Sequence, residues 1–215
     1  MSRSVLILVP MLIGLMVANA NAQSSKIGVT GGVNISNLNG ISGASTKDGL
    51  IIGAFVEYDL VAGLSLEPEV LFSMKGAKWQ SQTGAQGPFA PPVVNTTLNY
   101  VEIPILLKFK VLTFPVLPAD IDVFAGPDFA FNVASKNEFT ELGITTTSDE
   151  SKNTYPFDFN IAVGAGPTVD LGPISIGAEV RYTFGTSPVF KNQTVGSVLS
   201  NSKNGVWSIM ASVGF

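Results

Sequence analysis

The stretch Gly205-Val206-Trp207-Ser208-Ile209-Met210-Ala211-Ser212-Val213-Gly214-Phe215 decides how the rest of the chain is read. Trp207, Ile209, Ala211, Val213 and Phe215 fall on one face of an extended backbone. Val206, Ser208, Met210, Ser212 and Gly214 fall on the other. A period of two is the signature of a strand that separates two different environments. Here one environment is wholly apolar, and the chain stops on an aromatic ring.

The same pattern recurs upstream over residues 26–35, 50–58, 64–75, 98–110, 121–133, 158–171 and 174–184. In 64–75, Leu64, Leu66, Val70, Phe72 and Met74 oppose Ser65, Glu67, Glu69, Ser73 and Lys75. In 174–184, Ile176, Ala178, Val180, Tyr182 and Phe184 oppose Ser175, Gly177, Glu179, Arg181 and Thr183. Each of the eight segments is near the ~9–11 residues that cross a bilayer as a tilted strand. Their connections alternate in length. Residues 36–48, 79–97, 134–157 and 186–204 are long and polar, whereas 59–63 and 171–173 are tight turns built on Gly63 and Gly172-Pro173. Residues 111–120 form a longer member of the short set. These features predict an all-β fold: an eight-stranded antiparallel up-and-down transmembrane β-barrel, with long loops at one end and short turns at the other.

Composition supports a membrane strand protein. Charged residues make up 13% of the chain, about half the ~25% usual in soluble domains. No apolar run after residue 22 approaches the ~18 residues of a membrane helix. Closed strands are the other structure that satisfies every backbone group inside lipid. The apolar face is therefore expected to meet lipid and the charged face the barrel interior. A soluble lipocalin-like, ligand-binding barrel is the converse arrangement, and periodicity alone does not separate the two.

Residues 1–22 have their own logic. Arg3 is the sole charge there, Val5 to Val17 is an apolar run broken by Pro10 and Gly14, and Ala20-Asn21-Ala22 follows. This is the layout of a secretory signal peptide. The expectation is a signal peptide over 1–22 and one barrel domain over 23–215, exported to the outer membrane of a Gram-negative bacterium. The formal charge of −4 becomes −5 once Arg3 is removed, which disfavours nucleic acid as a partner. The terminal Ile209, Ala211, Val213 and Phe215 resemble the C-terminal signal of bacterial outer-membrane barrels. The expected partners are accordingly outer-membrane lipid and, through the last strand, the barrel-assembly machinery.

There is no Cys and no His. That removes disulfides, Ser-His-Asp chemistry and most transition-metal sites. Neither an enzyme nor a cofactor nor a metal site is expected. Pro68, Pro104, Pro127 and Pro167 interrupt strand patterns in a sheet with no free edge, so β-bulges are expected there.

Other residues carry a family likeness. Tyr100-Val101-Glu102-Ile103-Pro104-Ile105-Leu106-Leu107-Lys108-Phe109 resembles a strand of the PorT-like outer-membrane β-barrel family of Bacteroidetes. So do Gly31-Gly32-Val33-Asn34-Ile35-Ser36, Leu66-Glu67-Pro68-Glu69-Val70-Leu71-Phe72 with Lys75-Gly76-Ala77, Ala125-Gly126-Pro127 and Arg181-Tyr182-Thr183-Phe184-Gly185. The resemblance spans the mature chain. It implies the barrel, and by fold-level analogy a place in protein secretion or gliding motility.

Glu67, Glu69, Lys75, Glu102, Lys108, Glu179 and Arg181 are the candidate interior charge network. An eight-stranded barrel is just wide enough for side chains to fill, and buried charges must pair. The expected product is a plugged barrel with a structural or interaction role, its extracellular loops the contact surface for a protein partner. A narrow channel is the alternative. The acidic Glu138, Glu141, Asp149 and Glu150 of 134–157 lack the spacing of a calcium loop and are expected to be solvated.

Overall fold

The computed structural model describes residues 25–39, 44–80, 93–114, 118–141, 144–191 and 202–215. The expected signal peptide lies outside the described residues. Nine strands are present among them: β1 (Ser25–Asn39), β2 (Lys47–Val61), β3 (Leu64–Gln80), β4 (Val93–Phe114), β5 (Ala119–Glu141), β6 (Ile144–Asp149), β7 (Phe157–Asp170), β8 (Ser175–Gly185) and β9 (Lys203–Gly214). The sheet order is β4-β3-β2-β1-β9-β8-β7-β5-β6, and β4 also pairs with β5. That last pairing closes eight antiparallel strands into a barrel and leaves β6 as an appendage of β5.

Alternation sorts the side chains as the sequence implies. Ile209 and Phe215 are 52% and 66% exposed on the outer surface, whereas Arg181 is 2% exposed inside. The apolar face is the outer one, so the arrangement of a soluble barrel with an apolar interior does not occur. At one end the connections are short. Gly63 and Gly172 adopt φ of 79° and 88°, a region that glycine enters without a Cβ clash. Leu171 N–H donates to Ile174 C=O at 2.8 Å to close the second turn.

Three expectations need correction. First, β4 and β5 run to 22 and 23 residues, about twice what a bilayer crossing needs. Parts of the expected loops 79–97 and 134–157 are therefore strand: Val93 to Asn99 pairs with Ala134 to Thr140, and β6 adds to β5 from Lys136↔Asp149 to Glu141↔Ile144. Polarity there marks a change of surroundings, not of backbone. Thr96, Thr97, Thr140 and Thr145 to Thr147 are β-branched and suit a pleated sheet.

Second, the four prolines do not sit at bulges. Register shifts occur at Asp59/Val61, Asn99/Tyr100 and Lys110/Leu112. Each proline stays bridged on one side: Pro68↔Ile105, Pro104↔Asp128, Pro127↔Ile161 and Pro167↔Ile121. On the other side pairing lapses and resumes in the same register. A residue in an antiparallel ladder directs its N–H and C=O to one neighbour, so a missing N–H costs one contact without requiring an inserted residue. Gly126 and Gly166 precede two of these prolines. A Cβ there would lie 2.0 Å from Ile105 O and 1.9 Å from Ala178 O.

Third, part of 186–204 is buried rather than looped into solvent. Val189 and Phe190 pack with Leu38, Ala77, Leu98, Tyr100 and Ala130. Tyr155 N–H donates to Val189 C=O and Lys191 N–H to Asn153 C=O, at 2.9 and 2.8 Å. These bonds lay the segment across the long-loop end of the barrel.

Candidate functional site in the barrel lumen

The inward positions of β3, β4 and β8 carry all seven charges singled out from the sequence. The structure brings them together in three groups. In the first, Arg181 on β8 donates from Nη1 and Nη2 to the two carboxylate oxygens of Glu69 on β3, at 2.6 and 2.7 Å. Glu179 lies 2.8 Å from the same guanidinium, whose carbon sits 5.3 Å from the centre of the Phe124 ring. β8 and β3 are four strands apart in either direction round the barrel. The Arg181–Glu69 fork therefore crosses the full lumen. Bidentate geometry is the strongest form of such a pair.

The second group lies nearer the short turns. Lys108 donates to Glu67 at 2.9 Å and approaches Glu57 at 3.6 Å. Ser65 donates to Glu57 and Thr168 to Asp122, at 2.9 and 3.0 Å. Below it, Lys26 on β1 reaches Asp170 on β7 at 2.7 Å.

The third group lies nearer the long loops. Lys75 is paired with Glu102, and its ammonium sits 5.4 Å from the centre of the Tyr100 ring. Asn160 donates to Asp128 at 3.0 Å. Asn204 on β9 donates to Asp158 at 3.0 Å and to the Tyr100 hydroxyl on β4 at 3.3 Å, a second tie between opposite walls. Apolar clusters sit beside the charged groups: Leu106, Phe124 and Ala162, and Ile51, Leu71 and Met210, with Leu106 the ladder partner of Glu67 and Leu71 that of Glu102. Asn34 bridges Ser73 at 2.9 Å and Ser208 at 2.7 Å.

Glu57, Asp122, Asp128, Asp158, Asn34, Asn160, Asn204 and Tyr100 were not among the site residues read from the sequence. The available signal was parity, since all alternate with the apolar faces of their strands. What parity does not give is the partner on the opposite wall.

Ile209, Ala211 and Val213 lie on the outward face of β9, and Phe215 follows its end. Phe215 N–H donates to Ile27 C=O at 2.8 Å and Ile27 N–H returns to Phe215 C=O at 3.1 Å. The last residue thus completes the β1–β9 seam. Among the loop acids, Asp149 accepts the Ser151 N–H at 2.9 Å, which holds its carboxyl below the usual carboxylate range.

A family model described as outer membrane protein beta-barrel domain matches residues 21–191. No curated protein matches the chain. Among solved structures, a major outer membrane protein from Thermus thermophilus is similar at 13% identity and TM-score 0.52, over 90% of this chain and all of that one. OprG from Pseudomonas aeruginosa is similar at 12% identity and TM-score 0.48, over 90% and 97% of the two chains. Neisserial surface protein A is similar at 12% identity and TM-score 0.46, over 90% and 100%. At these identities the likeness concerns the fold alone.

Proposed function

This chain belongs to the outer membrane protein β-barrel domain family, and from that premise we propose that it is a plugged outer-membrane scaffold, not a pore. The observation that carries the reading is the set of bonds crossing the lumen at three levels: Lys26–Asp170, Arg181–Glu69 and Asn204–Tyr100. An ion would have to break a buried bidentate ion pair to pass. The contact surface is then the long-loop end, which by the usual orientation of such barrels faces the cell exterior. The extended β4–β5–β6 sheet is its rigid part. No catalytic role is proposed.

Three finer points belong to the same reading. The features of residues 1–22 support export by a signal peptide. The Phe215–Ile27 seam supports a role for Ile209, Ala211, Val213 and Phe215 in recognition by the assembly machinery. The motifs shared with the PorT-like family of Bacteroidetes support a place beside a secretion or gliding assembly, the partner meeting the exterior loops.

Planar-bilayer recording of the refolded chain tests the plug. No unitary conductance above the protein-free bilayer is expected. Stable conductance steps would overturn the reading in favour of a narrow channel. Electrophoresis in SDS, unboiled against boiled, must show the mobility shift of a folded barrel in the same sample.

A further inference from the structure

The third lumenal group is out of electrostatic balance. Glu102, Asp128 and Asp158 are each 3% exposed or less, and Lys75 is the cation that answers them. After residue 24, every Lys and Arg of the chain lies within the described residues. The other cation that bears on the cluster, Arg181 toward Asp128, is already engaged by Glu69 and Glu179. Two negative charges, Asp128 and Asp158, are left with hydrogen-bond donors but no cation in contact, near the buried Val189 and Phe190. Buried charge in that condition must be neutralised from outside the protein.

A second observation is independent of the charge count. Among the described residues, the oxygens of this region without a hydrogen-bond partner include Oδ1 of Asp128, Asp158, Asn160 and Asn204. Their residues are 0–2% exposed. The other atoms of these side chains are used, since Asn160 Nδ2 donates to Asp128 Oδ2 and Asn204 Nδ2 to Asp158 Oδ2. The four are contiguous. Asp128 sits opposite Asn160 in the β5–β7 ladder, and Asp158 is two residues before Asn160 on the same face of β7. Orphaned acceptors outnumber orphaned donors there, which are Lys75 Nζ, already ion-paired with Glu102, and Asn132 Nδ2, so what the region lacks is a positive or donating guest.

We propose that this upper chamber binds one hard divalent cation, Ca²⁺ or Mg²⁺, through Asp128, Asp158, Asn160 and Asn204. Carboxylate and amide oxygens are the ligands such ions take, and Mg²⁺ in particular keeps several waters and needs only one or two carboxylates. Among the described residues no three carboxylates gather as a metal-binding group. The site is therefore a mixed set of two carboxylates and two amide carbonyls, completed by water. Its charge matches the two uncompensated negatives. Under the lid formed by Val189 and Phe190, the ion exchanges slowly and ties β5, β7 and β9 together. This proposal does not depend on the lumen being closed to conductance.

The test uses the full chain, refolded in detergent after chelation and then dialysed against Ca²⁺ or Mg²⁺. Ion content is read by mass spectrometry after gel filtration, and unfolding temperature by circular dichroism. One ion per folded chain is expected, with a saturable rise in unfolding temperature. Asp128→Asn and Asp158→Asn should each abolish both, and Glu150→Gln in the loop should abolish neither. If the Asp variants do not give a folded barrel by gel mobility, Asn160→Ala and Asn204→Ala, which leave the charges in place, must lose the ion instead. Substoichiometric ion in the folded parent would overturn the proposal and leave protons or ordered water as the neutralising guest. So would ion retained in the variants, or an equal rise in NaCl of matched ionic strength.

Discussion

Arg181 shows how much one side chain carries here. Its guanidinium is 2% exposed, forks onto Glu69 and touches Glu179. Arg181→Met would leave two carboxylates buried without their cation. Breaking one partner of such a pair costs about 3–5 kcal/mol. The unfolding free energy of the refolded variant, from urea titration in lipid vesicles, should fall by that amount. An unchanged value would mean that the group is not part of what holds the lumen together. Arg181→Lys keeps the charge but not the fork, so its stability should lie between the two. The residue types at these positions were legible from alternation alone. Their assortment was not, because Glu69 and Arg181 are 112 residues apart and meet only across the closed barrel.

Strands carry two constraints at once, one per face. Ile209, 52% exposed on β9, should tolerate Val or Leu, but Ile209→Arg should cost about 2–4 kcal/mol if it sits near the bilayer mid-plane. The check is the same vesicle unfolding experiment, and a neutral outcome would place Ile209 at an interface instead. Close approach between strands is the other constraint. Gly166→Ala puts a methyl 1.9 Å from a backbone carbonyl, so an overpacking cost of about 1–3 kcal/mol is expected. Gly31→Ala meets nothing nearer than 3.5 Å and should be neutral or slightly stabilising. Equal midpoints for the two would show that the backbone relaxes at Gly166. At this scale the sequence located the eight spanning segments but began β4 too late and stopped β5 too early. A polar Thr-rich continuation looks like a loop when polarity is taken for disorder, yet the ladder simply runs on beyond the bilayer. The prolines misled in the opposite direction. They suggested inserted residues, where the structure loses one hydrogen-bond contact and holds register.

For the whole molecule, bonds across the lumen tie opposite walls together, and a folded-back segment packs against the long-loop end. That segment is anchored through Tyr155–Val189 and Lys191–Asn153 backbone bonds and by burial of Phe190. Phe190→Ala should loosen the lid without unfolding the barrel. Hydrogen exchange at 153–155 and 189–191 should accelerate by about tenfold or more, while β3, β4 and β8 keep their protection. Loss of protection throughout would make the lid part of the barrel's cooperative unit. By itself the sequence determined the number of spanning strands, their inside and outside faces and the direction in which loop length alternates. These are local properties, set by a period of two and by the turn chemistry of Gly63 and Gly172. Only the tertiary structure decided which charges pair, that Val189 and Phe190 are buried against the barrel, and that Oδ1 of Asp128, Asp158, Asn160 and Asn204 lack a donor. Those outcomes depend on side chains brought together from opposite walls. Closure of the sheet creates that proximity, and no sequence spacing encodes it.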